Sequence, residues 1–320
     1  RRGHTEPFDV TLIRAEIPID SVEKAMLPDR IGYIQISSFT GRTSEEFRNA
    51  LTELLNAKEG GMKSLILDLR DDPGGLLDAA KYVADAFLSE GIIVSTKGRQ
   101  RRFDQEYPAD RYLLCPPEVS LIVLVNEYSA SGSEIVAGVI KDSKRGILLG
   151  TKTFGKGVVQ QRFPLDSGGG AVSLTISTYY TPSGVSINET GITPDIVVEP
   201  AKLETAEATM RQEMRVGKYV NDFVEKWIED EEKRIGKTPK DFSQLELKLP
   251  ELMKTLAEKD IAIEPELVKI DARRIFNANV GIYQLIDLDH DNQLQEAIKV
   301  IKSGEVEKIL ASTKAESSLQ

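Results

Sequence analysis

The 320-residue chain is 40% hydrophobic and 29% charged, the balance of a globular protein with one large or two ordinary domains and not of a disordered one. Its 51 acidic residues against 41 basic ones give a net charge of -10, which argues against a general nucleic-acid binder because phosphate binding needs a basic surface. A single cysteine, Cys115, excludes an intrachain disulfide, two histidines (His4 and His290) disfavour a zinc centre of His and Cys, and no run approaches the roughly 18 apolar residues of a membrane span.

Arg1 to Pro7 do not read as a secretion signal, because no apolar core follows the two arginines. Phe8 to Ile19 and Arg30 to Phe39 are rich in Val, Ile, Thr, Tyr and Phe and are predicted strands. Thr43-Ser44-Glu45-Glu46 has the form of a capping box opening a helix with Phe47, Leu51, Leu54 and Leu55 on one face, closed by Gly60-Gly61. Ser64 to Leu69 is a short apolar strand of the kind buried on both faces. A turn at Asp72-Pro73-Gly74-Gly75 leads into a helix carrying Leu76, Ala80, Val83, Ala84 and Phe87. The alternation repeats with Ile92 to Ser95, Ser120 to Asn126, a helix of Ile135, Val136, Val139 and Ile140, and a strand at Gly146 to Leu149. Such alternation predicts a largely parallel sheet with crossover helices. Between Val158 and Tyr180, two β-runs flanking Asp166-Ser167-Gly168-Gly169-Gly170 form a hairpin signal.

Beyond Pro200 the chain is charged and helical, with expected helices at Thr205 to Arg234, Leu245 to Glu258, Glu264 to Asn279 and Asn292 to Lys302. Met214, Tyr219, Phe223 and Trp227 are candidates for a core or an interface there. Asp287, Asp289 and Asp291 alternate like a calcium loop, but the sixth position is Asn292 and the twelfth Ile298, so a loop and helix start is the better reading.

Candidate chemistry concentrates where a buried strand gives way to a helix, at Asn126-Glu127-Tyr128-Ser129-Ala130-Ser131-Gly132-Ser133-Glu134. Ligands gather beyond the carboxyl ends of strands in open α/β sheets, and amides at a helix start suit a developing oxyanion. Ser131 with Glu134 equally fits a capping box, in which the serine only caps the helix. As a nucleophile Ser131 needs a base, and His4 and His290 stand at opposite ends of the chain in polar contexts. A neutral lysine is the other route, because burial disfavours the ammonium form. Lys156, between Gly155 and Gly157, is that candidate; an ordinary turn lysine is the bland alternative. The run from Gly150 to Lys156 imitates a phosphate-binding loop, yet Gly157 replaces the magnesium-binding Ser or Thr and a β-run follows instead of a helix. Gln160 would lie about 13 Å from Lys156 along a straight strand, so a partnership of the two requires the backbone to bend at Gly157. Asp68-Leu69-Arg70-Asp71-Asp72-Pro73-Gly74-Gly75 reads as turn chemistry that can also expose an amide to a substrate carbonyl.

Taken in order, D-L-R-x-x-P-G-G, S-A-S-G-S-E, G-K-G-V-V-Q and Gly191-Ile192-Thr193-Pro194-Asp195-Ile196-Val197-Val198 closely resemble the carboxyl-terminal processing peptidases, also called tail-specific proteases, over roughly residues 8 to 200. The resemblance implies an α/β fold with a crotonase/Clp-protease-like mixed β-sheet core and crossover helices, followed by a mainly helical C-terminal region. It implies a serine-lysine endopeptidase cleaving proteins near their C-termini, with no metal and no cofactor. By motif, Ser131 matches the nucleophile, Lys156 the general base and Gln160 the residue orienting the lysine, while the N-H groups of Gly75 and Gly132 match the oxyanion hole. The family usually has alanine where this chain has Gly132; only the amide is required there.

The resemblance also implies boundaries: residues 1–18 as the remnant of a preceding PDZ domain and linker strand, 19–200 as the protease core, and 201–320 as a helical region suited to dimerisation. Protein or peptide substrates bound by their C-terminal tails, a homo-oligomer through the C-terminal helices and an adaptor protein are the implied partners, without nucleic acid. The implied location is extracytoplasmic, in the periplasm or at the outer face of a membrane, with signal or anchor outside this chain. Two competitors are an inactive peptide-binding scaffold of the same fold and a crotonase-like acyl-CoA enzyme; the latter needs an adenine-nucleotide site and a carboxylate base, for which no pattern is present.

Overall fold

The computed structural model describes residues 9–15, 19–58, 60–110, 113–165, 168–201 and 205–317. These fall into two compact units, one of the described residues up to Val198 together with those from Glu296 onward, the other of Glu199–Gln295.

The first unit is built on two sheets. In the larger, β1 (Val22–Leu27) runs antiparallel to β2 (Ile31–Ile36), and β2, β3 (Ser64–Asp68), β6 (Ser120–Val125), β7 (Ile147–Gly150) and β10 (Ile196–Val197) follow in parallel. All five residues of β3 are buried, as are the last five of β6, which explains their continuous apolar sequences: both faces are covered. Helices α1 (Thr43–Leu55), α2 (Leu77–Asp85) and α3 (Gly132–Asp142) pack side by side against the sheet, α1 on β1 and β2, with α2 between α1 and α3. Their inward faces carry Phe47, Leu51, Ala80, Val83, Val136, Val139 and Ile140, all buried. The smaller sheet is antiparallel, in the order β5 (Gln105–Pro108), β4 (Ile92–Gly98), β9 (Ala171–Tyr180), β8 (Val158–Pro164). The mixed α/β class and the helical C-terminal region expected from the sequence are thus observed.

Several local expectations are corrected. Residues 9–15 and Ile19 form no strand; Val10, Leu12 and Ile13 are exposed, and β-branched residues do not make a strand without a sheet edge to pair with. The sheet begins instead at Val22. The rest of the supposed strand, and most of the supposed PDZ remnant, lie outside the described residues. Thr43 is not a capping residue but the first residue of α1; its hydroxyl accepts the Thr40 amide and donates to Ser38 O, while the Glu46 carboxylate takes the Ser21 amide. Ile92 to Ser95 belongs to the antiparallel sheet and not to the parallel one. The hairpin of β8 and β9 is present, with Pro164 opposite Ala171, although Asp166 and Ser167 of its turn lie outside the described residues.

The second unit contains α4 (Thr205–Val216), α5 (Tyr219–Ile235), α6 (Phe242–Glu246), α7 (Leu249–Ala257) and α8 (Pro265–Val280). The single helix expected over Thr205 to Arg234 is two, because the chain turns at Gly217 and Lys218, the latter at φ 54°. Leu245 to Glu258 is likewise divided, with Pro250 in the first turn of α7. Val224, Ile228, Leu252, Val268 and Phe276 are buried at the centre. Among them Asp271, only 1% exposed, takes both ends of the Arg211 guanidinium at 2.9 and 2.8 Å. Burial alone would raise its pKa, but Arg211 and Arg215 outweigh that and hold it low. After α9 (Asn292–Ser303), α10 (Glu305–Ser317), which the sequence reading omits, packs on β6 and β7.

Candidate active site

The turn between β6 and α3 is fastened to the end of β3. Ser129 Oγ donates to Leu69 O at 2.7 Å, and Ser133 Oγ donates to Asp72 O at 3.0 Å, the same carbonyl that accepts the Ala130 amide. Two of the three serines in S-A-S-G-S therefore serve the fold. Ser131 stands between them at the start of α3 with φ 54° and ψ -107°, a region that residues with a side chain adopt only when their surroundings enforce it. The half-buried Ser131 side chain meets the hydroxyl of Tyr179.

Glu134, fully buried one turn into α3, explains how that backbone is held. Its Oε2 accepts the Ser131 amide at 2.9 Å and the Lys156 amide at 2.8 Å, so those two nitrogens are within about 5.7 Å of each other, the reach of 2.9 and 2.8 Å from one atom. Its Oε1 accepts the Gly155 amide at 2.7 Å and the Thr153 hydroxyl at 2.6 Å. The Glu134 half of the capping box read from the sequence is real, and the same carboxylate also binds a loop 19 to 22 residues further on. That loop is further pinned by the G-I-T-P-D segment: the Ile192 amide donates to Thr153 Oγ1 at 2.7 Å, and Asp195 Oδ2 accepts the Leu148 amide at 2.8 Å. The Tyr179 hydroxyl donates to Lys156 O. Burial, aided by the Glu134 charge and opposed by the Ser131 hydrogen bond, raises the phenol's pKa, so it remains a donor.

Across from Ser131 lies the P-G-G turn. Beneath it the D-L-R segment forms an ion pair: buried Asp68 receives Arg70 Nη2 at 2.6 Å and the Tyr33 hydroxyl at 2.8 Å. Asp72 Oδ1 accepts the Gly74 amide at 2.8 Å, and Gly74 O accepts the Phe39 amide at 3.0 Å. The Gly75 amide has no backbone acceptor among the described residues, nor does the Gly132 amide at the first position of α3. A Cβ on Gly74 would come within 2.6 Å of both Ala130 O and Gly132 N, so the two turns are in close contact only because residue 74 is glycine.

A cavity of about 530 Å³ opens beside these turns, lined by Asp71, Pro73, Tyr128, Ala130, Phe154 and Lys156. The Lys156 side chain is exposed, and among the described residues it makes no hydrogen bond to Ser131 Oγ or to Gln160. The path from Lys156 to Gln160 is not a straight strand: β8 starts at Val158, the Gly157 amide reaches Asn188 Oδ1 at 3.3 Å, and a bulge interrupts pairing between Val159 and Gln160. Gln160 is exposed. The structure therefore brings together the Ser131 and Lys156 main chains and the P-G-G turn, without a direct bond between the two side chains.

The sequence reading did not assign site roles to Glu134, Tyr179 or Asp72. Only Glu134 had a local signal, the S-x-x-E spacing; Tyr179 arrives from another sheet. The described helices include none long and apolar enough to cross a membrane, and no group of His, Cys, Asp and Glu among the described residues could hold a metal ion.

The chain spans about half the length of the curated relatives it matches. It is similar to the carboxy-terminal-processing protease of Bartonella bacilliformis, 42% identical over 214 residues that cover 66% of this chain and 49% of that protein. Against the carboxyl-terminal-processing protease of Synechocystis sp. the identity is 38% over 216 residues, 65% of this chain and 48% of that one. Among solved structures, a photosystem II D1 C-terminal processing protease superposes with a TM-score of 0.51 at 34% identity, over 60% of this chain and 52% of that chain. The model of peptidase family S41 matches residues 30–198, which contain both turns, the Glu134 carboxylate and the loop of Lys156, and the chain belongs to that family.

Proposed function

We propose that the chain is the catalytic part of a serine endopeptidase that cleaves protein substrates near their C-termini. The observation that carries this is the shared carboxylate, which fixes the Ser131 turn and the Lys156 loop to one point at the rim of an open cavity. In this reading Lys156, as the neutral amine, takes the Ser131 proton while Oγ attacks the scissile carbonyl. The amides of Gly75 and Gly132 receive the oxyanion, Lys156 protonates the leaving amine, and water hydrolyses the acyl-enzyme. Gln160 orients the amine, which requires its side chain to turn back toward Lys156. The mostly apolar lining of Pro73, Tyr128, Ala130 and Phe154 fits an apolar substrate side chain next to the scissile bond.

The resemblance to processing proteases extends the proposal to capture of substrate tails by a PDZ domain, to oligomer or adaptor partners, and to an extracytoplasmic site of action. Residues 19–200 are the protease core in this proposal and 201–320 a helical region for assembly.

Cleavage of a peptide with an apolar C-terminus by wild type, and its loss in Ser131→Ala and Lys156→Ala with circular dichroism unchanged, is the expected result. One observation favours a second reading, a peptide-binding scaffold without activity: the exposed Lys156 amine is not bonded to Ser131. Wild type that binds the peptide but leaves it intact at every pH would establish the scaffold instead.

A further inference from the structure

Asp72 has no part in that scheme, yet both turns hang on it. Its carboxyl Oδ1 accepts the Gly74 amide at 2.8 Å, while its main-chain oxygen accepts the Ala130 amide and the Ser133 hydroxyl, each at 3.0 Å. The side chain is fully buried, and Oδ2 has no hydrogen-bond partner among the described residues. A carboxylate charge in such a place is costly unless a cation or further donors meet it. None does. Arg70, two residues before it, is bound to Asp68; Asp71, its chain neighbour, is exposed and bonded to Asn126; Glu134, on α3, has both oxygens filled by other donors. Burial raises the Asp72 pKa to about 7, with the Gly74 amide and the Ser133 hydroxyl only partly opposing it.

We propose that Asp72 is a positioning residue whose uncharged carboxyl group holds the turn of Gly75 against the turn of Ser131, and whose ionisation slows the reaction. The inference rests on the serine-lysine peptidase reading above. In the neutral acid, Oδ1 accepts the Gly74 amide and the Gly75 amide, next along the chain, is left for the substrate. Loss of the proton leaves a negative charge met only by the Gly74 amide, the neighbour of the Gly75 amide, where it opposes the negative charge developing on the scissile oxygen. The same charge draws water toward Oδ2 and loosens the contact of the two turns.

The test is kcat/KM of wild type and Asp72→Asn on one peptide from about pH 5.5 to about pH 9, read as the ratio of variant to wild type so that contributions common to both cancel. The ratio is expected to rise about tenfold through an inflection near pH 7. In parallel, infrared spectra should show a protonated carboxyl band in wild type that is lost as pH rises through the same range and is missing in Asp72→Asn. A flat ratio in an enzyme that cleaves, or a band already lost well below pH 7, would overturn the proposal. Wild type that cleaves nothing while the band titrates would remove the peptidase reading, and this role with it. Should Asp72→Asn fail to fold, Asp72→Ser serves in its place: it too carries no charge at this position, so its ratio to wild type must rise through the same inflection, and a flat ratio counts against the proposal.

Discussion

The main-chain amides of Ser131 and Lys156 donate to one and the same oxygen, Oε2 of Glu134. Neither residue's position is therefore a local property of its own loop. Replacing Glu134 by Gln puts an NH2 group where one oxygen now receives two donors, whichever way the amide faces. We expect Glu134→Gln to cost about 3 kcal/mol of stability and to lower kcat by about a hundredfold, read from denaturant unfolding and peptide cleavage. Near-normal stability and turnover would show that the shared carboxylate is dispensable.

The two glycine amides proposed for the oxyanion differ in what surrounds them. A Cβ on Gly75, at φ 152°, would fall 2.0 Å from Phe39 O, so Gly75→Ala should displace backbone and abolish cleavage with a fall in melting temperature. A Cβ on Gly132 would sit 3.0 Å from Phe39 Cδ2 and 3.2 Å from Ala80 Cβ, side-chain contacts that can yield by a few tenths of an ångström. Gly132→Ala should keep its fold and stay within about threefold of wild-type activity.

Asp72 also makes a prediction for stability that needs no substrate. Its pKa is raised in the folded chain, from 3.8 to about 7, so the folded state binds the proton more tightly than the unfolded one. Below pH 4 both states are protonated and there is no penalty; the penalty grows from there to about pH 7 and stays constant above. Asp72→Asn removes it. The variant should match wild type at low pH and gain up to about 4 kcal/mol above pH 7 in urea unfolding. A difference independent of pH would contradict the assignment.

Cys115 is fully buried, and burial pushes its thiol up to about 11, with the Arg145 guanidinium at 3.5 Å opposing the shift. Since the thiolate is the reactive form, a disulfide reagent should leave the native protein untouched and titrate one thiol in denaturant. Rapid labelling of the native chain would refute this.

Much of the frame was legible in the sequence because burial leaves a plain mark there. S-L-I-L-D reads as a strand buried on both faces and S-L-I-V-L-V repeats its pattern, and the helices after them carry their apolar residues at helical spacing. β1 escaped notice because V-E-K-A-M-L belongs to an edge, where charged residues interrupt the pattern. The S/T-x-x-E signature occurs twice with opposite outcomes. At Ser131 the glutamate does accept the residue's amide; at Thr43 it turns to Ser21 instead. What decides is the donors that distant chain segments bring, and four residues do not encode those. Asp72, Glu134 and Tyr179 were missed for that reason: each acts through partners far away in the chain.

Phe39 belongs to none of the recognition motifs, yet it touches both glycines that frame the gap opposite Ser131. Its amide and carbonyl bracket Gly75 through Gly74 O and Leu76 N, and its ring lies against Gly132. A buried side chain outside every signature thus holds the two proposed oxyanion amides in register, so a change at Phe39 alone would disturb both while every signature residue stays as it is.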